Sequence, residues 1–224
     1  MDNIFGIDIP DSLEEICAPS RAALLVYDLQ VGIVSQIAGG DVVVDRVATL
    51  VGRARDAGLR IVYTRHYNVP LGWAGAGQLR MARTWQRVRT ASELKERLMR
   101  GSPGVQIVEA VAPRSEDVVL DKVTLSAFEG TPLAFLLRDL GICSLLMAGI
   151  ALEVGIEPTA RHAADLGFIP VLVQDACGFG NAEAARRSLA ALKYCGDSVL
   201  TDLQSVLGVL PPGAPRRPEG ARPT

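Results

Sequence analysis

The chain has 224 residues, 49% hydrophobic and 21% charged, with 23 Lys plus Arg against 25 Asp plus Glu and a net charge of −2. At roughly 150 residues per domain this length holds one large domain or two small ones, and the near-neutral balance lacks the basic footprint of a nucleic-acid binder. Two histidines, His66 and His162, are too few for a His-built zinc site, and the four cysteines form no C-x-x-C pair, so no disulfide framework is read from them.

Met1 to Pro19 is acidic and mixed, without the basic start and apolar run of a signal peptide. No stretch reaches the ~18 uninterrupted apolar residues that would span a bilayer. The expectation is a cytoplasmic protein with reduced cysteines and no membrane partner.

Short apolar runs then alternate with helical patterns. AALLVY, 22–27, reads as a buried strand ending at Asp28. A helix is expected over 41–57, with Val44, Val47, Ala48 and Val51 on one face and Gly58 as its stop. RIVYT, 60–64, is the next strand and DVVL, 117–120, the one after. Thr131 caps a helix running to Leu140, with Pro132 in its first turn. A strand over 143–148 leads through Gly149 to a helix over 154–166. A strand over 169–173, a helix over 182–192 and a last strand over 198–201 follow. Strands that are apolar on both faces, alternating with helices, imply a parallel sheet covered on both sides. The reading is one doubly wound α/β domain over residues 1–210.

Two segments break the rhythm. Residues 68–102 hold both tryptophans, Trp73 and Trp85, with a cluster of Gly, Gln and Arg; a long insertion after a strand is typically a binding loop or lid. The tail, 211–224, is rich in Pro, Gly and Arg and is expected to be disordered.

In open α/β sheets ligands sit beyond the carboxyl ends of strands. Asp28 follows six apolar residues and is either a cap for the 30–35 segment or a functional carboxylate. Lys122, just past DVVL, taken alone reads as a surface lysine with a buried stem. Paired with Asp28 across neighbouring strand ends, it becomes half of a buried ion pair poised for proton transfer. The turn from Gly149 to Gly155 joins a strand to a helix, where first-turn amides can hold an oxyanion or a carboxylate.

Four segments in order, ALLVYDLQ, VVLDKVTLSAF, LLMAGIALEVGIEPTARHAADLGF and VLVQDACG, resemble the isochorismatase-like (cysteine) hydrolase superfamily. The resemblance implies a three-layer α/β/α fold with a six-stranded, mostly parallel sheet. It implies a cis peptide at Ile150–Ala151, a small-molecule substrate, no cofactor, and a homodimer or homotetramer. Asp28 and Lys122 fall on the family's catalytic Asp and Lys, while its nucleophilic Cys falls on Gly155. In the isochorismatase branch, where glycine is usual at that position, a vinyl ether is cleaved by protonation and water addition, which would make Asp28 the acid and Lys122 its partner. That branch's Tyr-Ala-His-x-Gly run is missing, since this chain reads Ala151-Leu152-Glu153-Val154-Gly155.

Two alternatives stay open. One is an amide or lactam hydrolase with water activated by Asp28, assisted by Glu153 or Glu157, or with Cys177 as nucleophile. The other is a catalytically silent binding or scaffold member. The family's metal-dependent nicotinamidases imply an Asp with two nearby His; with only His66 in reach, no metal is expected. Candidate substrate contacts are Gln30, Tyr67, Trp73, Arg83, Arg87, Phe128, Ile150, Ala151 and Glu153, with the arginines of the insertion supplying positive charge for an anionic substrate.

Overall fold

A computed structural model describes residues 2–212; the tail expected to be disordered lies, from 213 on, outside the described residues. A small antiparallel hairpin of β1 (Asp2–Ile4) and β2 (Ile7–Ile9), not anticipated from the sequence, precedes α1 (Leu13–Ile16). The main body then runs β3 (Ala22–Tyr27), α2 (Val31–Val34), α3 (Gly40–Ala57), β4 (Arg60–His66), α4 (Ala76–Gln86), β5 (Val118–Lys122) and α5 (Leu133–Asp139). It continues through β6 (Ser144–Ile150), a π-helical turn (Leu152–Ile156), α6 (Glu157–Asp165), β7 (Ile169–Gly178), α7 (Ala182–Cys195), β8 (Val199–Thr201) and α8 (Leu203–Val209). Among the described residues no helix is long and apolar enough to cross a membrane.

The six strands β3 to β8 form one parallel sheet in the order β5-β4-β3-β6-β7-β8. The period of two along β3 divides the core. Leu24 and Val26 pack with Val47, Leu50 and Val51 of α3 and Val206 of α8. Ala23, Leu25 and Tyr27 face the other way, against Leu133 and Leu137 of α5, Ile156 and Ala160 beside and on α6, and Leu192 of α7. All six residues of β3 are buried. Each large side chain so buried contributes about 1.5–3 kcal/mol, which fixes the strand firmly in the middle of three layers.

The chain runs outward from β3 to β4 and β5, then returns to the other side of β3 with β6. The crossover direction therefore reverses between β3 and β6, the topological switch point at which such sheets open a crevice. Two sequence expectations change here. β7 does not end at Val173 but runs to Gly178, because a shift in register between Met147 and Gly149 absorbs the extra residues of β7. The helix expected from Val154 starts instead as a π-turn, with α6 proper beginning at Glu157.

Candidate active site

Four strand ends meet at the switch point. Asp28 follows β3, His66 ends β4, Lys122 ends β5, and Ile150 ends β6. Lys122 and His66 are register partners across β4 and β5. Asp28 takes a left-handed backbone conformation, φ 45°, which a non-glycine residue seldom adopts outside special sites. Its side chain is 6% exposed. Oδ2 accepts from Lys122 Nζ at 2.7 Å, and Oδ1 accepts from Thr64 Oγ1 at 2.6 Å. Lys122 Nζ also donates to Thr124 O at 3.2 Å and lies 4.4 Å from the centroid of the Tyr27 ring. The cap for the short helix after β3 is Gln30, not Asp28, so the carboxylate is left to the lysine and the threonine.

The opposite wall is the turn after β6. Ile150–Ala151 is a cis peptide. Gly149 has φ 134°, and a Cβ there would come within 2.8 Å of the Tyr27 backbone, so only glycine fits this close approach of β6 to β3. The amides of Val154, Gly155 and Ile156 all donate to Ala151 O, at 3.3, 3.0 and 3.1 Å. Those three donors are thus occupied, and the oxyanion role expected for this turn has none of them to draw on.

A cavity of about 390 Å³ opens between these walls, and Asp28, Lys122, Gly155, Ile150, Ala151 and Arg87 all line it. The insertion closes it from above with Thr84, Trp85, Arg87 and Leu98. Arg87 ends α4 in a left-handed conformation, and among the described residues its guanidinium has no hydrogen bond or ion pair. A smaller chamber of about 130 Å³ lies under α4 and shares Gln36, His66, Trp85 and Leu98 with the first.

The other expected contacts lie elsewhere, each for a local reason. Gln30 is fully buried, and its amide bridges backbone groups of His66 (2.7 and 2.8 Å) and Val105 (3.1 Å), as a buried amide must. Glu153 accepts from the amides of Gly180 and Asn181, both at 2.8 Å, and so holds the start of α7. Glu157 binds Arg161 at 3.1 Å and Ser188, away from Asp28. Phe128 stacks on Phe168 in the core, 5.7 Å between centroids. Tyr67 lies under the Arg100 guanidinium and lines the smaller chamber. Trp73 is 85% exposed. Arg83 donates to Arg89 O and lines, with Arg80, an adjoining surface groove that shares Thr84 and Arg87 with the cavity but does not bring Arg83 into it.

With β7 running on to Gly178, Cys177 is not at a strand end. It lies inside β7, 5% exposed, with Sγ donating to Met147 O at 3.8 Å. Burial pushes its thiol up to about 12, which keeps it protonated and unreactive. It does not line the cavity.

Sequence reasoning passed over Tyr27 and gave His66 no site role, yet both line the cavity. The Tyr27 hydroxyl donates to Leu125 O, and burial, reinforced by the Asp28 charge, raises its phenol well above the usual range. His66 Nε2 meets Asn68 Oδ1 at 3.1 Å. Burial, then the Lys122 charge, holds its imidazole below the usual 6.5, with Asp28 opposing. Among the described residues no group of three or more His, Cys, Asp or Glu side chains could hold a metal ion. His162, the other imidazole, binds Ser126 Oγ at 2.9 Å beside Phe128.

The buried carboxylate–ammonium pair thus lies at the switch point of a parallel sheet, where α/β folds open a half-enclosed crevice. The family model described as Isochorismatase domain matches residues 22–204. The chain belongs to this family of isochorismatase-like hydrolases. It is 32% identical over 222 residues to the ureidoacrylate amidohydrolase RutB of Klebsiella pneumoniae, covering 92% of this chain and 93% of that one. To RutB of Acinetobacter baylyi it is 31% identical over 192 residues, 79% of this chain and 78% of that one. Among solved structures, an isochorismatase family protein from Desulfovibrio vulgaris superposes with TM-score 0.71 at 26% identity, over 84% of this chain and 97% of that one. A cysteine hydrolase from Pseudomonas syringae superposes with TM-score 0.73 at 24% identity, over 86% and 93%; at that identity the likeness concerns the fold.

Proposed function

We propose that this hydrolase cleaves a small carboxylate-bearing substrate without a cysteine nucleophile. Asp28 transfers the proton, Lys122 holds and charges the pair, and Arg87 receives the substrate carboxylate. The observation that carries this reading is the 2.7 Å Lys122–Asp28 contact inside a cavity whose opposite wall is Gly155. On the family pattern Gly155 stands at the nucleophile's position, and a glycine offers no thiol there.

For a vinyl ether the step is direct. Asp28 in its acid form gives its proton to the terminal vinyl carbon, and an oxocarbenium ion forms. Water adds to the oxygen-bearing carbon of that ion and returns a proton to Asp28. The hemiketal then collapses to a ketone and an alcohol, so the sum is substrate plus one water. General acid chemistry of this kind is worth about 10²–10⁴-fold in rate. No oxyanion has to be held, which agrees with the occupied amides of residues 154–156.

A second reading is hydrolysis of a C–N bond, with Asp28 activating water as a base. It is favoured by one observation, the 31–33% identity to proteins named ureidoacrylate amidohydrolases. Both readings run through Asp28. A catalytically silent role would leave a buried ion pair, costly to desolvate, with no use.

Wild type and Asp28→Ala are to be assayed on isochorismate, ureidoacrylate, nicotinamide and a lactam. Turnover of isochorismate that vanishes in Asp28→Ala supports the ether reading, and turnover of ureidoacrylate alone moves the assignment to the C–N bond. Full activity of Asp28→Ala on any of them sinks both. The homodimer or homotetramer implied by the family is read from light scattering on the same preparation.

A further inference from the structure

A Cβ built on Gly155 would fall 2.5 Å from Tyr27 Cε1, and closer still to Cζ and Oη. Real Cβ atoms do not approach that near. The Tyr27 ring cannot swing aside freely, since it is 2% exposed, its hydroxyl is tied to Leu125 O, and Lys122 covers one face. The Lys122 ammonium has three N–H donors. Two are directed to Asp28 Oδ2 and Thr124 O, and the ring, 4.4 Å from Nζ to its centroid, lies within reach of the third. With the lysine side chain 1% exposed, an unsatisfied donor would be costly, and a ring face is a favourable neighbour for a buried cation.

We propose that Tyr27 and Gly155 form one unit, in which the Tyr27 ring takes the volume a side chain at 155 would need and serves as the positioning residue that holds Lys122 against Asp28. The proposal deepens the reading of the Asp28–Lys122 pair as the reaction centre. It also gives a physical reason why restoring a thiol at 155 by itself is not accommodated: the space has another occupant.

Two measurements that need no substrate test it. The first is a double-mutant cycle in melting temperature with Tyr27→Val, Gly155→Cys and the combination. Gly155→Cys alone is expected to lower Tm by about 8 °C or more, or not to fold, given about 2–4 °C per kcal/mol at this chain length. The combined variant is expected to melt above Gly155→Cys and to gain one iodoacetamide adduct by intact mass relative to Tyr27→Val. A wild-type Tm for Gly155→Cys, or a combined variant no more stable than Gly155→Cys, overturns the proposal.

The second measurement reads the lysine directly. The chain has three lysines, Lys95, Lys122 and Lys193, and the first and last are exposed. In a ¹³C-lysine-labelled sample one Cε proton pair, that of Lys122, is expected to be ring-shifted upfield. Tyr27→Phe is expected to keep the shift and Tyr27→Val to lose it. Absence of a ring-shifted signal in the wild type, or its survival in Tyr27→Val, overturns the positioning role. Both results stand apart from the Asp28→Ala assays, so failure of this proposal and failure of the proposed function are told apart.

Discussion

The floor and the cover of the cavity are built by different physics. On the floor, β3 is buried at all six positions, and Asp28, His66 and Lys122 are fixed by strands locked into a parallel sheet. The cover, residues 68–102, has α4 with none of its eleven residues buried. It is held by local polar contacts, such as Gln86 with the Lys95 backbone at 2.8 and 3.0 Å and the Thr90–Glu93 capping box. A floor of this kind holds reacting groups to a fixed geometry. A cover of this kind can change its side chains, and so the substrate it admits, without disturbing the fold.

That contrast predicts two classes of mutant. The largest effect belongs to the floor. Asp28→Asn is expected to lower kcat by about 10²–10⁴-fold with little change in KM, the size of a lost general acid or base. Lys122→Met is expected to cost about 3–5 kcal/mol of stability as well, because it strands a buried carboxylate; urea unfolding reads this. A cover-like result, with KM rising and kcat unchanged, would break the comparison.

Arg87→Ala is the matching test of the cover. Its expected signature is a KM rise of about tenfold with kcat nearly intact, the pattern of lost uniform binding. Arg83→Ala is expected to leave both constants within about twofold, as surface substitutions away from a site do. Equal effects of the two arginines would deny Arg87 its place at the cavity.

A smaller effect concerns His66. Its folded pKa lies below the unfolded 6.5 through burial and the Lys122 charge. The unfolded chain therefore binds the proton first as pH falls, and stability is lost from about pH 6.5 downward until the folded imidazole titrates too. Above that window the residue contributes no pH dependence. Melting curves from pH 7.5 to 5 should fall less steeply for His66→Gln than for wild type, and identical slopes would contradict the assignment.

Much of the floor was legible in the sequence for the same reason that it is rigid. Apolar runs such as AALLVY and CSLLMA must be buried on both faces, and a charged residue at their ends, Asp28 or Lys122, then needs a partner. What the sequence hid was competition for polar groups and space. Gln30, Phe128 and one oxygen of Glu153 each hold a local partner, and none of the three residues lines the cavity. β7 continues through Gln174 and Asp175, residues that look like a strand end until the register shift is seen. Tyr27 looked like one more core aromatic. A signal was present in the pairing of a bulky strand-end residue with a glycine at 155, but only the fold brings positions so far apart in the chain into contact.

The central claim is that the reaction runs without a thiol. It is tested most directly by the turnover of a cysteine-free chain, Cys17→Ala, Cys143→Ala, Cys177→Ala and Cys195→Ala together, on whichever of isochorismate or ureidoacrylate the wild type hydrolyses. The expected kcat/KM is within about threefold of wild type, since none of the four lines the cavity. A folded cysteine-free chain that has lost more than about a hundredfold would contradict it.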